Sequence, residues 1–307
     1  SGWKICGGYR REDPPLPRDE AAPEAGRGGG YVNGQDVAGE IRRFVLESDA
    51  NRRAGSGERW FDEPIVGFAS ARDPIFLEFK AVIGEFHLTP SEMFEKGAGG
   101  NLTDGTVICW ILPVSLAARE SNREERRWPS LEWARTRTHG EEFNNRLRGH
   151  VVRVLEVRGY RSVAPVLTDH FRTVDDARVG PASTWSERHA AYAAGLGTFG
   201  LSDGLITERG IAHRCGSVVT ERILELDSGR RKAPRANCLY YHDGSCGSCI
   251  GRCPAGAIGV AGHDKRKCRE YLYGAIPAET AGRYDVHVLG CGLCQTDVPC
   301  EGCNPVR

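Results

Sequence analysis

Nine of the twelve cysteines lie between Cys238 and Cys303. The first part of this stretch is Cys246-x2-Cys249-x3-Cys253-Pro254. Short two-residue spacings present successive sulfurs from a turning backbone, and an ending of the form C-x2-C-x3-C-P is typical of proteins with two 4Fe-4S clusters. Each cluster is bound by four cysteine thiolates. The pattern therefore predicts one-electron iron-sulfur chemistry in the last quarter of the chain.

Two such clusters need eight thiolates. In the usual pattern the first thiol lies three residues before Cys246, where this chain has Asp243, so Cys238 takes that role through a longer loop. The predicted ligands of the first cluster are Cys238, Cys246, Cys249 and Cys300. The predicted ligands of the second cluster are Cys253, Cys268, Cys291 and Cys294. Cys303 is the predicted spare, although Cys300 and Cys303 could exchange roles.

Zinc is the alternative metal. Taken alone, Cys291-x2-Cys294 and Cys300-x2-Cys303 match half of a zinc ribbon. The proline after the third cysteine of the first stretch favours iron-sulfur clusters, because zinc modules do not use it. The scattered cysteines have plainer interpretations: Cys109 is a buried small hydrophobe in an apolar run, Cys6 lies in a polar arm, and Cys215 is undecided.

A second chemical signal is the glycine-rich segment that follows Trp185. Ser186 caps a predicted helix and Gly195 ends it, after which Gly197 and Gly200 let the backbone approach a neighbouring group closely. The spacing resembles a dinucleotide-binding fingerprint, but there a strand precedes the glycines and here a helix does. A structural turn is the plain alternative. A flat cofactor packed against this backbone is the favoured interpretation.

Strands and helices alternate before the cysteines, which indicates an α+β domain with an appended cluster domain. Periodicity predicts helices over 35–46 and over 141–158, the second closed by Gly159. It predicts strands over 65–69, 106–113 and 162–167. The predicted organisation is an extended or disordered arm over 1–35, a cofactor and substrate domain over 36–230, and a double-cluster domain over 231–307.

Composition limits the function classes. Lys and Arg together number 41, as do Asp and Glu, and 40% of residues are hydrophobic. A net charge of zero argues against a protein that binds nucleic acid mainly through its overall positive charge. The hydrophobic content is too high for a chain that is disordered throughout. The longest apolar run, around 107–112, is far below the roughly 20 residues needed to span a bilayer. We therefore expect a cytoplasmic protein that does not use a membrane.

The motifs together resemble a known superfamily. Glu187-Arg188 leads a helix into Ala194-Gly195-Leu196-Gly197, and Gly200, Leu205-Ile206, Gly216-Ser217 and the double-cluster cysteines follow. This combination resembles the epoxyqueuosine reductase and reductive dehalogenase superfamily over about residues 64–303.

The resemblance implies a nitroreductase-like α+β domain, with a mixed sheet flanked by helices, followed by a bacterial-ferredoxin-like double-cluster domain. It also implies a cobalamin (corrinoid) cofactor to which two 4Fe-4S clusters pass electrons. The residues that it places at the cofactor are Glu187, Arg188, Gly195, Leu196, Gly197, Gly200, Gly216 and Ser217.

Two features depart from the superfamily. Epoxyqueuosine reductases continue into a helical-repeat region that helps to hold tRNA, and we expect this protein to lack it. The family also places an aspartate about six residues before the Glu-Arg pair, where this chain has Pro181. The alternative proton donors are Asp169 and His170 at a predicted strand end, Asp175 and Asp176 in the next loop, and Tyr192 with Arg188 as its helper.

The predicted function is a corrinoid-dependent iron-sulfur reductase that acts on a small molecule. Its electrons would come from a low-potential donor such as ferredoxin or flavodoxin, and tRNA is a poor candidate for the substrate. The alternative is an iron-sulfur electron-transfer protein that serves a redox partner and has no substrate chemistry of its own. A third interpretation replaces the corrinoid with another flat cofactor, such as a flavin or a haem.

Overall fold

A computed structural model describes residues 33–224 and 231–306. Contacts divide the chain after residue 31, so all of these residues belong to one compact unit. The helices are α1 Gly34–Glu47, α2 Ile75–Ile83, α3 Pro90–Gly97, α4 Leu116–Arg123, α5 Leu131–Glu156, α6 Glu187–Ala193, α7 Leu239–His242, α8 Ser248–Arg252, α9 Lys265–Glu270 and α10 Ile276–Glu279. The strands are β1 Ile65–Ser70, β2 Thr106–Pro113, β3 Ser162–Val163, β4 Thr173–Asp176, β5 Gly180–Ser183, β6 Gly197–Phe199, β7 Leu205–Thr207, β8 His213–Thr220, β9 Ile258–Gly259 and β10 Gly262–His263.

The main sheet has the strand order β1-β2-β8-β3, and each neighbouring pair is antiparallel. Helices with antiparallel sheets agree with the predicted α+β class. The prediction of a mixed sheet is wrong for the described residues. Antiparallel neighbours arise because the segments that join them, such as α2 and α3 between β1 and β2, return the chain to the same end of the sheet.

Strand β2 is buried along its whole length because both faces of the sheet are covered. Successive side chains of a strand point to opposite faces. Those facing one core pack with α1 and α5, and they are Ile108, Trp110 and Leu112. Those facing the other core pack with α2, α3 and α6, and they are Val107, Cys109 and Ile111. Cys109 is thus a buried small side chain, as its sequence context predicts.

Two predicted boundaries differ from the structure. Helix α5 begins at Leu131, capped by the Ser130 side chain, and not near residue 141. The helix continues through Gly140, where a Cβ would lie 2.6 Å from the ring of Phe61 and only a glycine leaves room for that ring. The predicted strand over 162–167 is only two residues long, since Pro165 lacks an N–H and begins a 3₁₀ turn.

Residues 231–306 contain short helices and the two-residue strands β9 and β10. A small apolar cluster joins this segment to the sheet domain, and it contains Leu201, Ile206, Ile211, Cys238, Ile258 and Val298. The predicted domain boundary near residue 230 falls beside the undescribed residues 225–230, so that division stays a prediction. Cys6 and most of the predicted arm lie outside the described residues. No helix in the described ranges is long and apolar enough to cross a bilayer.

His87 is an exception in the second core, because it is a polar ring without a polar partner. Its side chain is 1% exposed, and neither ring nitrogen has a hydrogen-bond partner among the described residues. The ring stacks on Trp185 at 6.2 Å and meets Phe79 edge-on at 6.1 Å. Burial lowers the pKa of His87 from 6.5 to about 4. This ring is therefore neutral in the folded protein at pH 7.

Replacing His87 by Phe should make the protein more stable in acid. Between pH 6.5 and about 4 the unfolded chain binds a proton at His87 that the folded protein excludes, so stability falls as the pH drops through this window. His87→Phe removes that penalty, which is roughly 2 kcal/mol at pH 5, without losing a hydrogen bond. Urea unfolding at pH 5.0 and 7.5 measures it, with His242→Phe at an exposed site as the control. An equal loss of stability on acidification in wild type and His87→Phe would contradict the assignment.

Candidate metal centres

The four thiols of the predicted first cluster line one apolar cavity. Cys238, Cys246, Cys249 and Cys300 share this cavity with Gly200, Leu201, Ile206, Ile211 and Val298. Burial raises the pKa of Cys249 to about 11, and the neighbouring Cys238 and Cys246 raise it further. Burial raises the pKa of Cys300 to about 12, with Cys249 as its first electrostatic neighbour. The fold thus brings together four thiols that are up to 62 residues apart in sequence.

The predicted second set is also gathered in space. Burial raises the pKa of Cys294 well above its usual value, and Cys291, Cys268 and Cys253 raise it further. Burial raises the pKa of Cys291 to about 11, with Cys268 and Cys253 as its nearest thiol neighbours. A backbone N–H also points at this set, from Ala257 to the Cys253 sulfur at 3.3 Å.

Both sets fit the chemistry of an iron-sulfur cluster. Thiolates are its ligands, and an apolar surrounding with N–H donors to sulfur is what stabilises and tunes it. The thiols of each set are neighbours but do not converge on one point, since no three His, Cys, Asp or Glu side chains in the described ranges are close enough together to hold a metal ion. Cys300 lies with Cys249 and not with Cys294, which is unlike the pairing of a zinc ribbon. Cys303 is exposed and does not line the cavity.

Arg252 fixes the relative positions of the two sets. This residue ends α8, between Cys249 and Cys253, and is 9% exposed. Its guanidinium donates to the carbonyl oxygens of Leu293 at 3.2 Å and Thr296 at 3.0 Å, which flank Cys294 closely in sequence. A single side chain thereby joins the loop of the first cysteine run to the loop of the second.

The same guanidinium also attaches the cysteine segment to the sheet domain. It donates to the carbonyl oxygens of Asn122 at 3.1 Å and Glu125 at 2.9 Å, at the end of α4. The Asn122 side chain, which is fully buried, donates in turn to the Thr296 hydroxyl at 3.0 Å. Glu301 accepts from Arg123 at 2.6 Å and from Arg119 at 3.3 Å. These contacts provide hydrogen-bond partners for polar groups that are buried where the cysteine segment packs on the sheet domain.

Most of the glycines that were predicted to contact a cofactor instead make room for the protein's own backbone and side chains. A Cβ on Gly197 would lie 2.6 Å from the carbonyl oxygen of Ile206, and one on Gly216 would lie 2.3 Å from the indole of Trp110. Ser217 is fully buried and accepts a hydrogen bond from the Trp185 indole at 3.0 Å. Gly200 lines the cavity of the first thiol set. The buried members of the predicted cofactor surface therefore do not fit direct contact with a corrin ring.

Other predicted cofactor residues remain accessible. Arg188 is exposed, and its guanidinium donates to the carbonyl oxygen of Asp203 at 2.6 Å. Gly195 is exposed in the left-handed conformation, with φ of 73°, which ends α6 as predicted. Leu196 is partly buried against Gly67. Arg188 and Gly195 thus fit contact with a bound group.

Glu187 belongs to a buried ionic network that crosses from α5 to α6. Arg148 is 1% exposed and donates to Glu187 at 3.2 Å and to Glu141 at 2.8 Å. It also donates to the carbonyl oxygen of Cys215 in β8 at 3.2 Å. The other oxygen of Glu141 accepts from Arg214 at 2.8 Å. This network connects a helix on one face of the sheet to the start of a helix on the other.

The two carboxyl groups of this network differ in charge. Burial raises the pKa of Glu187 to about 7, although Arg148 opposes the shift. Glu187 Oε2 is buried and has no hydrogen-bond partner among the described residues. Arg214 and Arg148 outweigh burial at Glu141 and lower its pKa to about 2. Glu187 therefore holds a proton in part at neutral pH, whereas Glu141 is ionised.

Three of the predicted proton donors, Asp169, His170 and Tyr192, do not line the thiol cavity, whereas Asp175 pairs at 2.7 Å with Arg269, which follows Cys268 in the chain. Asp169 and His170 are exposed, and His170 lines a separate groove with Lys80, Glu92, Lys96 and Arg172. None of the described cysteines lines that groove. Tyr192 is 5% exposed, and its hydroxyl donates to the carbonyl oxygen of Lys232 at 3.1 Å. Arg231, and not Arg188, lies over its ring, at 5.9 Å.

Sequence reasoning missed Arg148, Glu141 and Arg252. A sequence signal existed for the first two, because residues seven apart on a helix share a face and an opposite-charge pair there can be buried together. Arg252 carried no such signal. Its role depends on carbonyl groups that only the fold brings together.

Similarity to known proteins is partial. No protein-family model matches the chain. An epoxyqueuosine reductase of Leadbetterella byssophila is 33% identical over 115 residues, which are 36% of this chain and 35% of that protein. An epoxyqueuosine reductase of Cellulophaga algicola is 32% identical over 117 residues, again 36% of this chain and 35% of that protein. The chain thus matches about a third of the length of these curated relatives, and over that part the predicted resemblance to epoxyqueuosine reductases is confirmed.

Solved structures are similar at lower identity. A crystal structure of epoxyqueuosine reductase with an epoxyqueuosine-modified tRNA-Tyr stem loop aligns with a TM-score of 0.46 and 16% identity, over 87% of this chain and 66% of that one. A catabolic reductive dehalogenase aligns with a TM-score of 0.49 and 15% identity, over 89% of this chain and 37% of that one. These likenesses assign no function to this chain.

Gly216→Ala should destabilise the protein even without any cofactor. The added methyl group meets the buried Trp110 indole, and overpacking of this kind costs roughly 1–3 kcal/mol. Gly149→Ala is the control, because that helical position has open space and should gain up to roughly 1 kcal/mol. Thermal unfolding of both cofactor-free variants gives the comparison. Unchanged stability of Gly216→Ala would show that packing against Trp110 does not require this glycine.

Glu187→Gln and Glu141→Gln should have different effects on stability. The folded protein binds a proton at Glu187 that the unfolded chain releases between pH 4.5 and about 7, so this group's contribution is lost as pH rises through that window. Glu187→Gln should therefore flatten stability against pH from 5 to 8. Glu141→Gln should cost roughly 3 kcal/mol at pH 7, because Arg148 loses a buried partner. Equal losses in both variants, measured by urea unfolding at several pH values, would refute the distinction.

Proposed function

We propose that this protein is an iron-sulfur reductase with two 4Fe-4S clusters, which delivers single electrons to a corrinoid cofactor for reduction of a small molecule. The observation that supports the proposal is that Cys238, Cys246, Cys249 and Cys300 line one apolar cavity, with Cys253, Cys268, Cys291 and Cys294 close enough to affect one another's charge. The sequence pattern and the similarity to epoxyqueuosine reductases support the same chemistry.

The chain's own residues would prepare both cluster sites. Cys238, Cys246, Cys249 and Cys300 would hold one cluster, and Cys253, Cys268, Cys291 and Cys294 the other. Leu201, Ile206 and Ile211 would exclude water from the first site, and a dry surrounding shifts the potential of such a cluster. The hydrogen bonds that Arg252 donates to Leu293 and Thr296 would keep the two sites at a constant separation, which one-electron transfer between them requires.

The corrinoid is implied by the resemblance, and when bound it would supply low-potential cobalt chemistry. Arg188 and Gly195 are the predicted residues whose exposure suits contact with it. Gly197, Gly216 and Ser217 would support the local fold beneath that surface. Support for the corrinoid therefore comes from similarity and not from the glycine spacing.

A reductase of this kind also needs a proton donor, and we propose Glu187 for that role. A general acid works best with a pKa near the operating pH, and burial raises the pKa of Glu187 to about 7. Its free Oε2 is the atom that would carry the proton. Asp169, His170 and Tyr192 stay as alternative predictions, although among the described residues no hydrogen bond or ion pair joins any of them to the ionic network of Glu187.

The expected electron donor is a low-potential protein such as ferredoxin or flavodoxin, in the cytoplasm. The structural relative with a tRNA stem loop is an epoxyqueuosine reductase. For this chain we propose a small molecule instead, because 41 basic and 41 acidic residues leave no bulk positive charge for tRNA.

Iron content tests the ligand sets. Anaerobically reconstituted protein should contain about eight iron atoms per chain, Cys253→Ala about four, and Cys303→Ala about eight. Cys303→Ala is the matched control, since it removes a thiol from the same segment that lies outside both sets. Iron and acid-labile sulfide analysis gives the counts. Half the iron in Cys303→Ala would reassign the eighth ligand to that residue.

Cobalamin binding tests the corrinoid. The reconstituted protein should take up cobalamin with a change in its visible spectrum and retain about one cobalt per chain after gel filtration. Full iron content without cobalt would reject the corrinoid and favour an electron-transfer protein that serves a partner.

A further inference from the structure

Arg137 lies near a carboxylate, Glu141, whose ion pairs are formed with other arginines. It lies one helical turn before Glu141 on α5, where an acid and a base four residues apart would normally pair. Both oxygens of Glu141 are already taken, one by Arg148 and the other by Arg214. No hydrogen bond or ion pair reaches the Arg137 side chain from the described residues, and its side chain is only partly exposed.

The guanidinium of Arg137 lies against the backbone of the cysteine segment. A Cβ on Gly290 would lie 2.8 Å from Arg137 Nε, so the chain passes directly beside the guanidinium at residue 290. The carbonyl oxygen of Gly290 is held by the Trp133 indole at 3.1 Å, one helical turn earlier on α5. Cys291, a predicted cluster ligand, comes next in the chain. Arg137 is therefore placed beside the second thiol set by packing on both sides.

Further positive charge surrounds Arg137. Burial lowers the pKa of Arg137 to about 9, and Arg214 and Arg188 lower it further, whereas Glu141 opposes the shift. Arg188 is exposed and its guanidinium donates to the carbonyl oxygen of Asp203. Arg137, Arg148 and Arg214 thus share Glu141, and the other carboxyl group of the network, Glu187, is only partly ionised at pH 7.

We propose that Arg137 binds an oxyanion at this surface, beside Cys291 of the second thiol set. A guanidinium binds carboxylate and phosphate through paired N–H donors, and the charge-assisted bonds are stronger than neutral ones. The oxyanion is either a carboxylate of the small-molecule substrate or the phosphodiester of the cofactor's nucleotide loop. The inference rests on the proposed function only for the choice between these two sources.

The first experiment measures oxyanion binding alone. Inorganic phosphate and benzoate, each titrated into reconstituted protein and followed by thermal unfolding, should stabilise wild type and Arg146→Gln. Arg146 is exposed on the same helix and is the matched control. Arg137→Gln should bind the better of the two probes at least about tenfold more weakly, and Arg137→Lys should recover part of the loss. Without ligand, Arg137→Gln should be as stable as wild type, because it removes a cation that forms no ion pair among the described residues.

Equal stabilisation of all variants by the probes, or none in any, would overturn the proposal. A second arm separates the two sources by comparing cobalamin with cobinamide, which lacks the nucleotide loop. Weaker cobalamin binding by Arg137→Gln with unchanged cobinamide binding assigns the phosphodiester. Unchanged binding of both, with benzoate binding lost, assigns the substrate carboxylate. Wild-type protein that binds phosphate but no corrinoid would reject the proposed cofactor and retain the oxyanion site.

Discussion

The buried guanidinium of Arg252 is the interaction on which the cysteine arrangement depends. Residues 231–306 have only short helices and a small apolar cluster, so they lack a large core of their own to hold eight thiols in place. Arg252 instead donates to backbone carbonyls of the 293–296 turn and of the end of α4. Because these acceptors are fixed by backbone, the loops carrying Cys249, Cys253 and Cys294 are fixed with them. Loss of this side chain would leave several buried carbonyls unpaired, which is costly.

A second polar network performs the corresponding task within the sheet domain. Arg148 connects α5 to β8 and to the first residue of α6 through Glu187 and the Cys215 carbonyl. Helix α6 leads directly into the hairpin of β6 and β7, and residues of its turn and of β7 line the first thiol cavity. The network therefore helps to position the cavity-lining hairpin relative to the main sheet. It also creates the local charge imbalance, since Glu141 forms its ion pairs with Arg148 and Arg214 rather than with Arg137.

The sequence predicted the chemistry better than the supporting contacts. Cysteine spacing is enough to predict two sets of thiols, because short x2 loops place successive sulfurs close together, and the first predicted set lines one cavity. The assignment of ligands to two clusters stays a prediction. The bounds of β2 and the cap of α6 were also predictable, since β-branched runs and a Ser before a helix act locally. The glycines were harder to interpret. A glycine that admits a cofactor and one that admits a tryptophan, as Gly216 does, look alike in sequence.

The most direct test of the two thiol sets is X-ray diffraction at the iron absorption edge from crystals of anaerobically reconstituted protein. The anomalous map should contain two separate clusters of iron, one surrounded by Cys238, Cys246, Cys249 and Cys300 and the other by Cys253, Cys268, Cys291 and Cys294. A single iron or zinc ion at either position, or one cluster whose ligands come from both sets, would contradict the account.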